Sequence, residues 1–140
     1  MDEILREKNY VLGWNDAEHS ILQLAVLSEW TWDEAYRAIG KMNEVVAATS
    51  YDIYTVFHFS NRHLTLPRSG LSIPNIRALI SKDHPNEKLI FLVNSNPMIE
   101  MLMRTASKIY FLHTAFAKYR FVPSLDQALT EINQYRAAHH

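Results

Sequence analysis

The run Leu89-Ile90-Phe91-Leu92-Val93 constrains this chain more than any other stretch. Five consecutive apolar residues leave no side of an extended segment polar, so a strand built from them is covered on both faces, as in parallel sheets. Parallel strands need crossover connections, which helices supply, and the pieces for such an arrangement flank the run. Ile53 to Phe59 is dense in β-branched and aromatic residues and reads as a second strand. Ile21 to Leu27 is largely apolar at both alternating sets of positions and reads as an interior strand. It forms a hairpin with Tyr10–Trp14 across the turn-rich segment 15–19.

Helix signals fall between these strands. Thr31 and Glu34 are spaced as a capping box, and Trp32, Ala35, Tyr36, Ile39, Met42 and Val46 recur at helical intervals to about Ala48. A second helix runs from about Ser72 to Lys82, with Pro74 in its first turn, where a missing N–H costs nothing. Asn96-Pro97 opens a third, whose apolar side is Met98, Ile99, Leu102, Ala106 and Ile109. Residues 110–119 read either as its extension or as a second short helix. A brief strand at Arg120-Phe121-Val122 precedes a last helix, opened by a capping box at Ser124 and Gln127. The order β-β-α-β-α-β-α-β-α predicts an α/β fold with a mostly parallel sheet, an N-terminal antiparallel edge strand and about four helices. Ser60 to Gly70 is the longest connection without a period. With 140 residues and no repeat or linker, residues 1–140 read as a single domain.

Composition removes several function classes. Fourteen Lys and Arg against fifteen Asp and Glu give a net charge of −1, which argues against binding to a nucleic-acid backbone. No cysteine is present, so disulfides, thiol catalysis and Cys-based zinc sites are excluded. Only three glycines occur, and no Gly-rich phosphate loop or nucleophile elbow is found. The seven histidines, among them His58, His63 and His113, match no metal-ligand spacing, so neither metal nor cofactor is expected. The apolar runs are far below the roughly 20 residues a membrane span requires. With an acidic Met1-Asp2-Glu3 start and no apolar leader, a soluble cytoplasmic protein is expected.

Three segments in this order carry a resemblance. The strand Tyr54–Ser60 leads through a loop to Ser69-Gly70-Leu71 and a helix; Leu89–Asn94 is followed by Asn96-Pro97 and an amphipathic helix; and Val122-Pro123-Ser124-Leu125-Asp126-Gln127-Ala128-Leu129 closes the pattern. Over about Ile21 to Ile132 the chain resembles a STAS domain of the SpoIIAA-like, anti-sigma-factor-antagonist type, in a divergent branch. The resemblance implies a non-enzymatic regulatory module that binds a protein partner, such as an anti-sigma factor or a kinase-like regulator, and that forms a homodimer. It places Ser69 at the family's phosphorylated serine. Pro67 and Arg68 depart from the Asp and Ser expected before it.

Ligands of α/β folds gather at the C-terminal ends of parallel strands. That edge should collect Arg62, His63, Arg68, Ser69, Gly70 and Ser72 after one strand, with Asn94 and Asn96 after the next. No acidic residue lies between Asp52 and Asp83, whereas Arg62, Arg68, Arg77 and Lys82 do, so the segment is locally basic. The expected occupant is a protein partner. The alternative is a small anionic or lipid-like ligand at the same edge. Trp30 and Trp32, with Phe111, Phe116, Tyr119 and Phe121, exceed what one packed face buries and hint at a dimer surface or an apolar ligand pocket.

Overall fold

The computed structural model describes residues 1–67, 70 and 72–139 and contains one six-stranded sheet. Its strands are β1 (Asp2–Arg6), β2 (Tyr10–Trp14), β3 (Ile21–Val26), β4 (Ile53–Phe59), β5 (Glu87–Val93) and β6 (Tyr119–Val122), lying side by side in chain order. β1, β2 and β3 pair antiparallel, and β3 to β6 run parallel. The fold is therefore α/β with a mostly parallel sheet and an antiparallel N-terminal edge. The helices are α1 (Trp32–Ala47), α2 (Ile73–Ile80), α3 (Pro97–Ile109), α4 (His113–Phe116) and α5 (Leu125–Ala138), with a 3-10 turn at Arg62–Thr65. None of the described helices is long and apolar enough to cross a membrane.

Crossovers that advance in one direction with a constant hand deliver their helices to one face of the sheet. Accordingly Ala38, Met42 and Val46 of α1, Ile76 and Ile80 of α2, and Ile99, Met103 and Ala106 of α3 share a core with Leu24, Phe59 and Leu92. α5 covers the opposite face, where Ala128 and Ile132 meet Val56, Phe91 and Val93. The Phe91 run is thus enclosed between two helical layers, as its unbroken apolarity requires. The expected capping box is complete at α1, with Thr31 Oγ1 accepting from Glu34 N–H and Glu34 accepting from Thr31 N–H. At α5 only half of the box forms: Ser124 Oγ accepts from Gln127 N–H, while the Gln127 amide turns to Glu131.

Two elements differ from expectation, and one open alternative is resolved. β1 is an additional strand and takes the edge that Tyr10–Trp14 was expected to occupy. Its side chains are mostly exposed, so hydrophobic patterning does not reveal it, and backbone pairing with the wholly buried β2 holds it. Of the two readings left open for residues 110–119, the structure has the separate short helix α4, because Phe111 sits at φ 57° and breaks the helical path of α3. The connection after β4 is not wholly irregular. One 3-10 turn, capped by Asn61, buries Leu64 and Thr65, and a single turn is too short to show a period.

Gly13 in β2 is required by β1. A Cβ at this position would stand 2.5 Å from the Asp2 carbonyl oxygen and 3.0 Å from Glu3 Cα, both backbone atoms. Gly13→Ala is expected to open the β1–β2 pairing, costing about 1–3 kcal/mol of stability as overpacking does. Hydrogen exchange would show it as lost protection of the paired β1 amides, with β4 and β5 unchanged in protection relative to global unfolding.

A candidate ligand cavity

Between α1, α2 and the sheet lies a cavity of about 140 Å³. Its wall is almost entirely apolar because the residues that alternate toward this face are Leu24 and Val26 of β3 and Phe57 and Phe59 of β4, opposed by Met42 and Ile76. α1 turns the small side chains Ala35 and Ala38 toward the space, and α2 is only eight residues long. The helical cover therefore does not fill the volume above the strands. The lining follows β4 from Thr55 to Phe59, about 13 Å at the usual strand rise.

Two indoles flank the end near the C-terminal edges of the parallel strands. Trp30 Nε1–H donates to the Leu64 carbonyl, and Trp32 Nε1–H donates to the Gly70 carbonyl at 3.1 Å. The rings meet edge to face at 5.3 Å. These bonds tie the start of α1 to the connection after β4.

The opposite end is polar. Glu87 opens β5, and a register shift against β4 between Ile53 and Tyr54 turns it onto the cavity face. Thr55 Oγ1 donates to Glu87 Oε2 at 2.5 Å. Burial pushes the Glu87 carboxyl above the ordinary carboxylate range, opposed by the Thr55 hydrogen bond and the nearby positive charges of His84 and Lys118. Tyr119 lines the same end. Its hydroxyl is pushed well above the usual phenol range by burial, and the acidic Glu87 and Asp83 add to the effect. Lys82 completes this end, and Lys118 is held aside by Asp83 and the His84 carbonyl.

The site residues expected from the sequence surround the C-terminal strand edge, but most of their polar atoms are occupied in local structure. Gly70 adopts φ 87°, donates to the Pro67 carbonyl and accepts from Trp32. Ser72 caps α2 by accepting from Asn75 N–H, and Asn96 caps α3 by accepting from Met98 N–H. Asn94 sits at φ 60° and donates its amide to the Phe59 carbonyl at 3.0 Å. His63 is exposed, and its backbone N–H donates to Asn61. Arg62 and Asn94 are brought together at a separate surface depression of about 180 Å³, which also holds the Glu100 carboxylate. Arg68 and Ser69 lie outside the described residues.

Sequence reading singled out Trp30, Trp32 and Tyr119 among the surplus aromatics but missed Thr55 and Glu87. The available signal was an acidic residue directly before an apolar strand. Only the register shift reveals that its side chain points inward. Comparison with protein-family models, curated proteins and solved structures gave no match.

The electrostatics of Glu87 give a pH signature. Its folded-state pKa is raised, so its stability contribution is full below its ordinary value near 4.5 and is lost as pH rises through the folded value. Glu87→Gln removes this loss. Thermal melts from pH 4 to 8 should show the variant gaining on the parent protein from about pH 4.5 upward and then holding a constant lead.

Proposed function

We propose that this protein is a non-enzymatic, STAS-like binding protein that holds a small apolar ligand between α1, α2 and the sheet. The observation that carries the reading is the 140 Å³ apolar cavity. Its apolar wall lacks packing partners on the side of the space and so forgoes dispersion contacts there. A ligand that fills it recovers lost dispersion contacts and stabilises the native state by mass action. Cavities of about this size lined by aliphatic and aromatic side chains bind small hydrocarbons. The binding mode suits the small-ligand alternative read from the sequence, with its lipid-like rather than its anionic form.

1-Chlorohexane, which is apolar and uncharged, is a direct probe. It should raise the melting temperature in a saturable manner, and Ala35→Trp, which fills the space from α1, should abolish the rise. Absence of a shift with the parent protein, or an equal shift with the filled variant, would remove the reading.

A second reading, a module that meets a protein partner or another copy of itself, draws on a different surface. Met98, Met101 and Ile109 lie along one exposed side of α3, and Phe111 beyond its end is 85% exposed. Phe111→Asn suits the positive φ, which Asn tolerates, and removes the most exposed ring. On this reading the variant loses concentration-dependent self-association or partner capture while its melting temperature is unchanged. Analytical ultracentrifugation checks the first and a pull-down the second.

A further inference from the structure

We propose that the ligand carries a neutral hydroxyl group, received at the end of the cavity where Thr55, Glu87 and Tyr119 converge. The inference rests on the cavity reading above and adds the chemistry of the ligand's polar end.

An apolar cavity that served only hydrocarbon would have no use for this cluster, since each polar group placed against it carries a desolvation cost. Thr55 donates to one Glu87 oxygen, and this is the only side-chain hydrogen bond of that carboxyl among the described residues. The Tyr119 hydroxyl makes no hydrogen bond to a described residue. Every fully buried side-chain nitrogen or oxygen among those residues has a partner, so the Tyr119 hydroxyl keeps accessible surface. Tyr119 lines the cavity. One carboxyl oxygen and one phenol, on residues that line the same mainly apolar space, are thus left with hydrogen-bonding capacity.

A hydroxyl matches both, because it accepts from the Tyr119 O–H while donating to the Glu87 carboxyl. Charged alternatives fit less well. A carboxylate would bring a negative charge beside Glu87 and Asp83, both near enough to act on the Tyr119 hydroxyl. An ammonium would meet Lys82 in the cavity wall and the positive field of Lys118 near Glu87. Sites built to hydrogen-bond a hydroxyl reject analogues without one, because their own polar groups are then left unpaired.

Calorimetry on the full chain at pH 7.5 with 1-hexanol, hexanoate, hexylamine and 1-chlorohexane tests the assignment. 1-Hexanol is expected to bind about tenfold tighter than each of the other three, roughly the worth of one good hydrogen bond. Tyr119→Phe, which keeps the ring, should remove most of that advantage, and a cooperative thermal melt shows that the variant is folded. Glu87→Gln, which keeps a hydrogen-bonding carbonyl oxygen, should retain the preference for hexanol. Hexanoate or hexylamine binding as tightly as hexanol, or a Tyr119→Phe variant with the full preference, would overturn the hydroxyl assignment while leaving the cavity reading intact. Binding of none of the four probes would overturn both.

Discussion

The position of α1 over the sheet depends on one amide. Asn86, just before β5, directs its Nδ2 to the Val46 carbonyl at 3.1 Å, the Thr49 carbonyl at 3.2 Å, Thr49 Oγ1 at 2.8 Å and the Tyr51 carbonyl at 3.3 Å. Its own carbonyl accepts from Ile53 N–H at 2.7 Å. The last carbonyls of a helix have no partner within it, and here Asn86 joins Thr49 in donating to the Val46 carbonyl while linking the end of α1 to the start of β4 and β5. At the other end Thr31 and the two indoles hold the first turn. α1 is therefore fixed at both ends and spans the sheet between them. The small Ala35 and Ala38 leave the middle of that span unfilled.

The two faces of the sheet are consequently different materials. Under α5 the packing is closed, with Ala128 and Ile132 fully buried against Val56, Phe91 and Val93. Tyr54 stacks edge to face on Tyr135 there, and Arg136 lies 5.0 Å over the Tyr54 ring. Under α1 and α2 the wall is apolar but incompletely occupied. The register shift at the start of β5 serves both arrangements at once, because it leaves Leu89, Phe91 and Val93 toward α5 while placing Glu87 under α1. A regular ladder would have put Lys88, not Glu87, on the same face as Ile90 and Leu92.

Much of the fold was legible because hydrophobic period and capping chemistry agree along most of the chain. The interior strands announce themselves by apolar residues on both faces, and α1 by a complete capping box. What was not legible has local causes. β1 depends on pairing rather than burial, the separation of α4 from α3 depends on one positive φ at Phe111, and neither leaves a pattern of period 2 or 3.6. The candidate site was only partly readable. The indoles stood out as surplus aromatics, but the polar residues at the strand edge were more conspicuous than the cavity and are largely engaged in caps. Thr55, Glu87 and Tyr119 are far apart in sequence and converge only through strand register.

The indole tethers have an optical consequence. Of the three tryptophans, Trp30 and Trp32 line the cavity, whereas Trp14 stacks on His19 at 5.1 Å in the β2–β3 hairpin. An occupant that displaces either cavity indole must stretch its bond to Leu64 or Gly70 or carry that backbone with it. The intrinsic fluorescence of the molecule is thus divided into a silent emitter and two emitters coupled to both the interior and the outer connection. Without any attached label, the spectrum carries information on whether the space beneath α1 is empty or full.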